Sequence, residues 1–109
     1  MAHIKGMFVT RGFPLPTNPG TFTLTLPDTD FRVHAVVAEG DGSVMVVEYA
    51  LPADDARDVH FESVADDVLH AGLPPYSVYI GSYYARGAYL HVYGPRGGAH
   101  GEGPSSRVM

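Results

Sequence analysis

The residues in this chain best suited to chemistry are six histidines, because an imidazole can move protons near neutral pH or ligate a transition metal. They stand at His3, His34, His60, His70, His91 and His100. No two of them fall four residues apart or as a His-x-His pair, the spacings that offer two imidazoles to one ion. His60 and His70 bracket Asp66 and Asp67, which is not a ligand spacing. The chain has no cysteine, so disulfides and thiolate metal sites are excluded. The histidines are read as strand and surface residues, and no metal or cofactor is assigned.

His34 has a definite expected neighbour. If Phe31 to Leu51 forms a hairpin around a three-residue Gly40-Asp41-Gly42 loop, His34 falls opposite Glu48. A carboxylate placed there orients the imidazole, which is half of an acid–base arrangement. The other half has no counterpart in the sequence. There is no Gly-x-Ser-x-Gly elbow, the aspartates never take the order of a calcium loop, and Gly94-Pro-Arg-Gly-Gly98 does not lie between a strand and a helix as a phosphate loop must. The pair is read as a stabilising cross-strand contact, and the protein as non-enzymatic.

The tyrosines offer contact rather than reaction. Tyr76 to Tyr93 reads as a hairpin around Ala85-Arg86-Gly87, with Gly87 in the left-handed position of a three-residue loop and Tyr84 opposite Ala88. Alternation then puts Val78, Ile80, Ser82, Ala88, Leu90 and Val92 on a core face, and Tyr79, Tyr83, Tyr89, His91 and Tyr93 on the other. Tyrosine buries a large area at low entropic cost and is enriched at interfaces. The candidate binding residues are therefore Tyr79, Tyr83, Tyr89 and Tyr93 for area, His91 as a pH-sensitive polar contact and Arg86 as a charge at the turn tip.

The elements that must position these residues are short. Thirteen glycines and nine prolines leave little room for helix. Ile4 to Thr10 is expected as a first strand, followed by a proline-rich connection to Gly20. Thr21-Phe-Thr-Leu-Thr-Leu26 alternates cleanly as a strand and is closed by Pro27. In the central hairpin Phe31, Val33, Ala35, Val37, Met45, Val47, Tyr49 and Leu51 are expected to line the core. Asp58 to Glu62 is a short strand. Ser63 to Ala71 is the one helical candidate, with Ser63 as its cap and Val64, Val68 and Leu69 as its apolar stripe. The expected fold is mainly β: a small antiparallel sheet, sandwich or open barrel of about six or seven strands with at most one short helix. Residues 1–94 form a single domain, and residues 95–109, which hold few large apolar side chains, form a flexible Gly/Pro-rich tail.

Net charge is −5, and the seven basic residues are scattered. That argues against nucleic acid, whose binders gather cations to displace counterions. No apolar run reaches the roughly 20 residues of a membrane helix. The expected location is the cytoplasm, or a particle assembled there.

From Thr21 to Tyr93 the order of elements resembles a group of small, functionally uncharacterised β-rich proteins common in bacteriophage genomes. The resembling segments are Leu24-Thr-Leu-Pro27, Val33-His-Ala-Val-Val37, Val44-Met-Val-Val-Glu48, Tyr79-Ile-Gly-Ser82 and Leu90-His-Val-Tyr93. The resemblance implies a phage-encoded protein and carries no activity with it. The expected function is a protein-binding or self-associating module, with a homo-oligomer as one form. The alternative is a structural component of a larger particle whose tail orders on assembly, and a small metal-binding domain or enzyme ranks behind both.

Overall fold

Apolar–polar alternation at period two dictates strands, and strands make up most of what this chain forms. The computed structural model describes residues 7–69 and 77–98. In chain order the strands are β1 (Phe8–Pro14), β2 (Gly20–Pro27), β3 (Phe31–Glu39), β4 (Gly42–Ala50), β5 (Ala56–Ala65), β6 (Val78–Ala85), β7 (Ala88–Gly94) and β8 (Gly97–Gly98). They build two antiparallel four-stranded sheets, ordered β1-β4-β3-β8 and β2-β5-β7-β6, and no helix occurs among the described residues. The sheets stack as an open sandwich, with β6 lying across β3 and β4, and β2 across β4.

Both sheets contribute their inward positions to one core. Leu26, Val33, Met45, Val47, Phe61 and Val92 are essentially inaccessible, and Leu24, Phe31, Tyr49, Val59, Ile80, Tyr83 and Leu90 close around them. The threonines of β2 face outward against β5 instead. Thr21, Thr23 and Thr25 bond Glu62, His60 and Asp58 at 2.6, 2.9 and 2.8 Å.

Four expectations about elements change. The first strand is Phe8–Pro14 rather than Ile4 to Thr10; residues 4–6 lie outside the described residues. It is an edge strand, where a terminal proline removes no ladder bond. The helix expected from Ser63 does not form over its described part, since β5 continues to Ala65 and pairs Ser63, Val64 and Ala65 with Val92, His91 and Leu90. Ladder pairing outweighs the propensity of a two-turn helix that is marginal alone. His70 and Ala71 lie outside the described residues. The domain also continues past residue 94, because Gly97 and Gly98 pair with Arg32 and Phe31. Arg96 secures that crossover: its carbonyl accepts from Val33 N at 2.6 Å, and its guanidinium donates to the carbonyls of Tyr79 and Ile80 at 3.3 and 3.4 Å. Residues 99–109 of the expected tail lie outside the described residues.

The fourth change concerns both hairpins, which use two-residue turns and one bulge each rather than three-residue loops. Glu39 pairs Gly42, and the β3–β4 register shifts between Val33 and Ala35. Val36 therefore pairs Met45, while the expected core residue Val37 is exposed. Ala85 pairs Ala88, and the β6–β7 register shifts between Tyr79 and Gly81. Arg86 and Gly87 have φ of 52° and 81°, the double left-handed pattern of a type I′ turn. Arginine is strained there where asparagine is not. Arg86→Asn is expected to stabilise the protein by about 0.5–1 kcal/mol. The check is a higher urea midpoint at unchanged slope; a lower midpoint would mean that Arg86 makes a contact worth more than its backbone strain.

Candidate functional site

The one-residue change at the β6–β7 turn rebuilds the aromatic face. In the observed register Tyr79, Ser82 and Tyr84 of β6 oppose Tyr93, His91 and Tyr89 of β7. Tyr83, expected on this face, pairs Leu90 and lies in the core, only 5% exposed. Tyr84 takes its place outside. The signal for this was present in Arg86-Gly87 read as a two-residue turn. Tyr79, Tyr89, His91 and Tyr93 do share the outer face, and Arg86 stands at its tip.

Continuing onto β5, Tyr93 opposes Glu62 and His91 opposes Val64, while Asp66 donates its amide to the Tyr89 carbonyl at 3.0 Å. The outer surface is thus a grid of three rows. Glu62, Tyr93 and Tyr79 form the first, Val64, His91 and Ser82 the second, and Asp66, Tyr89 and Tyr84 the third. Glu62 and Asp66 were not among the sequence candidates, because nothing short of strand pairing places them beside the tyrosines.

In each outer row the two tyrosines meet edge to face. Tyr79 and Tyr93 have centroids 5.3 Å apart at 70°, and Tyr84 and Tyr89 5.0 Å apart at 73°. Such pairs hold ring orientation, the edge of one ring against the face of the other. Tyr79, Tyr84 and Tyr89 remain 47%, 57% and 56% exposed. The middle row is lower and opens into a depression of about 400 Å³ bordered by Val64, Asp67, Leu69, His91 and Tyr93.

His91 ties the rows together. Its Nε2 lies 2.7 Å from Asp66 Oδ1 and its Nδ1 lies 3.1 Å from the Tyr79 hydroxyl. A carboxylate only accepts, so Nε2 carries the proton of the neutral ring, and Nδ1 is left to accept from Tyr79. The chain Tyr79–His91–Asp66 fixes the Tyr79 ring and aligns a phenol, an imidazole and a carboxylate. Such a chain can polarise the Tyr79 hydroxyl.

The second histidine pair is on the other sheet. His34 Nε2 lies 2.7 Å from Glu48 Oε1, as expected, but at the β3 bulge, with Arg32 rather than His34 directly opposite Glu48. Among the described residues no group of three or more histidines and carboxylates is arranged to hold a metal ion; His3, His70 and His100 lie outside them.

The buried Tyr83 has a structural task. Its hydroxyl donates to the Pro16 carbonyl at 2.7 Å, which uses its only proton, so Ser63 Oγ at 2.9 Å donates to it. Burial raises the Tyr83 hydroxyl above the ordinary phenol value, with the Ser63 bond opposing in part. Comparison of the chain with protein-family models, with curated proteins and with solved structures finds no match.

Proposed function

We propose that this protein is a non-enzymatic binding module that engages another protein, or a second copy of itself, through the outer face of β6 and β7. The observation that carries the reading is the pair of edge-to-face tyrosine couples, in which Tyr79, Tyr84 and Tyr89 are left about half exposed and Tyr93 is partly buried. The β2–β5 half of the same surface satisfies its own polar groups through the threonine ladder, whereas the β7–β6 half presents amphipathic rings. Exposed rings whose orientation is already fixed lose little entropy on docking. Within this reading the protein works in the cytoplasm and is phage-encoded, in keeping with the element order from Thr21 to Tyr93.

Tyr84→Ser with Tyr89→Ser tests it. Both side chains point to solvent, so the double variant should keep its fold and lose association, seen as a fall in mass by light scattering across a concentration series or as loss of an identified partner. Association that survives in the folded double variant would remove the face from the function.

A further inference from the structure

We infer that the occupant of this face is an extended, basic segment of a partner protein, with arginine or lysine side chains four residues apart. The inference rests on the binding reading above and adds the chemistry of the partner. Each outer row pairs an acidic residue with two tyrosines along the sheet: Glu62 with Tyr93 and Tyr79, and Asp66 with Tyr89 and Tyr84. Glu62 accepts from Thr21 through Oε1 and Asp66 meets His91 through Oδ1, which leaves the second oxygen of each carboxylate to a ligand. A carboxylate next to open aromatic faces suits a cation, which gains both the ion pair and the ring quadrupole. Arginine gains most, since its planar guanidinium can stack on a ring while forking to an oxygen.

Charge across the sheet points the same way. The outer face of β2-β5-β7-β6 carries Asp58, Glu62 and Asp66, with Asp67 at its border. Among the described residues its cation is Arg86, at the turn beyond the third row. Arg96 is directed to the carbonyls of Val33, Tyr79 and Ile80, and Arg57 lies over the Phe31 ring and near Asp28, 3.6 Å from its carboxylate. The protein as a whole is at −5. An acidic partner would meet like charge, and a neutral apolar one would desolvate the carboxylates of Glu62 and Asp66 with only the Thr21 and His91 bonds to offset the cost.

Spacing sets the pattern. Tyr93 and Tyr89 are four residues apart on β7, so the outer rows lie about 13–14 Å apart. An extended chain laid along β7 spans that distance with the same four residues, so cations at i and i+4 reach both rows. The i+2 side chain then meets the low middle row, where Val64, His91 and the depression leave room for a small or aliphatic group.

The test uses the full chain, labelled with ¹⁵N and titrated with three ten-residue peptides on a serine–threonine background. One has arginines four apart, one has them adjacent, and one has glutamates four apart. The first should move the amide signals of β6 and β7 and bind about tenfold more tightly than either control. Tyr84→Ser should weaken it several-fold. Asp66→Asn, whose amide oxygen can still accept from His91, should weaken it similarly and steepen no other property. Equal binding of the glutamate peptide, or arginine-peptide binding unchanged in Tyr84→Ser, would overturn the inference, the latter revealing diffuse attraction to net charge. Absence of arginine-peptide binding while the chain still self-associates through Tyr84 and Tyr89 would leave the binding face in place and remove the basic partner. Absence of both would remove both.

Discussion

Tyr83→Ala is expected to destabilise the protein by about 3–5 kcal/mol, a large share of the stability of a domain of this size, whereas Tyr84→Ala should change stability by no more than about 0.5 kcal/mol. The two residues are adjacent and chemically identical, so the contrast isolates register. Tyr83 is 5% exposed and packed in the core with Ile80 and Leu90, while Tyr84 is 57% exposed. Urea unfolding of the two variants reads the difference directly. A reversed contrast, with Tyr84→Ala the damaging variant, would mean that the turn closes with three residues and that the tyrosine face is composed differently.

A milder variant separates the ring from its hydroxyl. Tyr83→Phe keeps the volume but deprives the Pro16 carbonyl of its donor and the Ser63 hydroxyl of its acceptor, at a cost of about 1–3 kcal/mol. It should also change the alkaline limb of stability. Because burial raises the Tyr83 hydroxyl, the folded state holds that proton more tightly than the unfolded chain does. The resulting stability is complete below the unfolded phenol value near 10 and is lost as pH rises from there through the folded value. Tyr83→Phe should therefore lose less stability than the parent between neutral and strongly alkaline pH, and parallel pH profiles would show that Tyr83 does not titrate as part of folding.

How much of this was legible follows from what each feature depends on. The Thr21–Leu26 alternation depends only on its own residues, and β2 runs where it says. The mainly β class follows from the lack of any long helical period, whereas the choice of two stacked sheets over a single sheet or open barrel does not. The face of β6 was not legible to the same degree, because it depends on a bulge. With three loop residues the whole hairpin keeps one register; with two loop residues and the bulge at Ile80 the base is unchanged and only the tip shifts. Tyr79 thus faces Tyr93 either way, and Tyr83 and Tyr84 exchange places. What favours the bulge is tertiary: a Cβ at Gly81 would come 3.1 Å from Val36 of the opposing sheet, a crowding that no pattern within β6 reveals. The strand β8 was hidden for a related reason. A strand is sought through its side chains, yet a Cβ at Gly97 would approach the Phe31 carbonyl at 2.8 Å, so only backbone can pair there. Glu62 and Asp66 joined the site through the extension of β5 over residues that read equally well as a helix start.

The second large effect connects that core to the site. Gly94→Ala is expected to cost about 1–3 kcal/mol, and to disturb binding even where the protein remains folded. A Cβ at Gly94 would overlap the Phe61 ring at Cδ2 and approach its Cε2 at 2.9 Å. The ring has little freedom to yield, being 2% exposed and stacked on Phe22 at 5.6 Å and 20°. In the lighter Phe61→Leu background the same alanine should be less damaging by at least about 1 kcal/mol, as a coupled pair requires; an additive cycle would mean that the ring does not set the spacing of β5 and β7 there. The consequence for the outer face comes from alternation. Glu62 and Tyr93 follow and precede Phe61 and Gly94 and are paired with each other, so the Phe61–Gly94 contact lies directly beneath the first row of the grid. Pushing β7 away from β5 at that point would separate Glu62 from Tyr93 and turn Tyr93 against Tyr79, while Asp66, Tyr89 and Tyr84 at the far end would be spared. The expected signature is therefore one-sided, with amide shifts concentrated at Glu62, Tyr79 and Tyr93 and the third row unchanged.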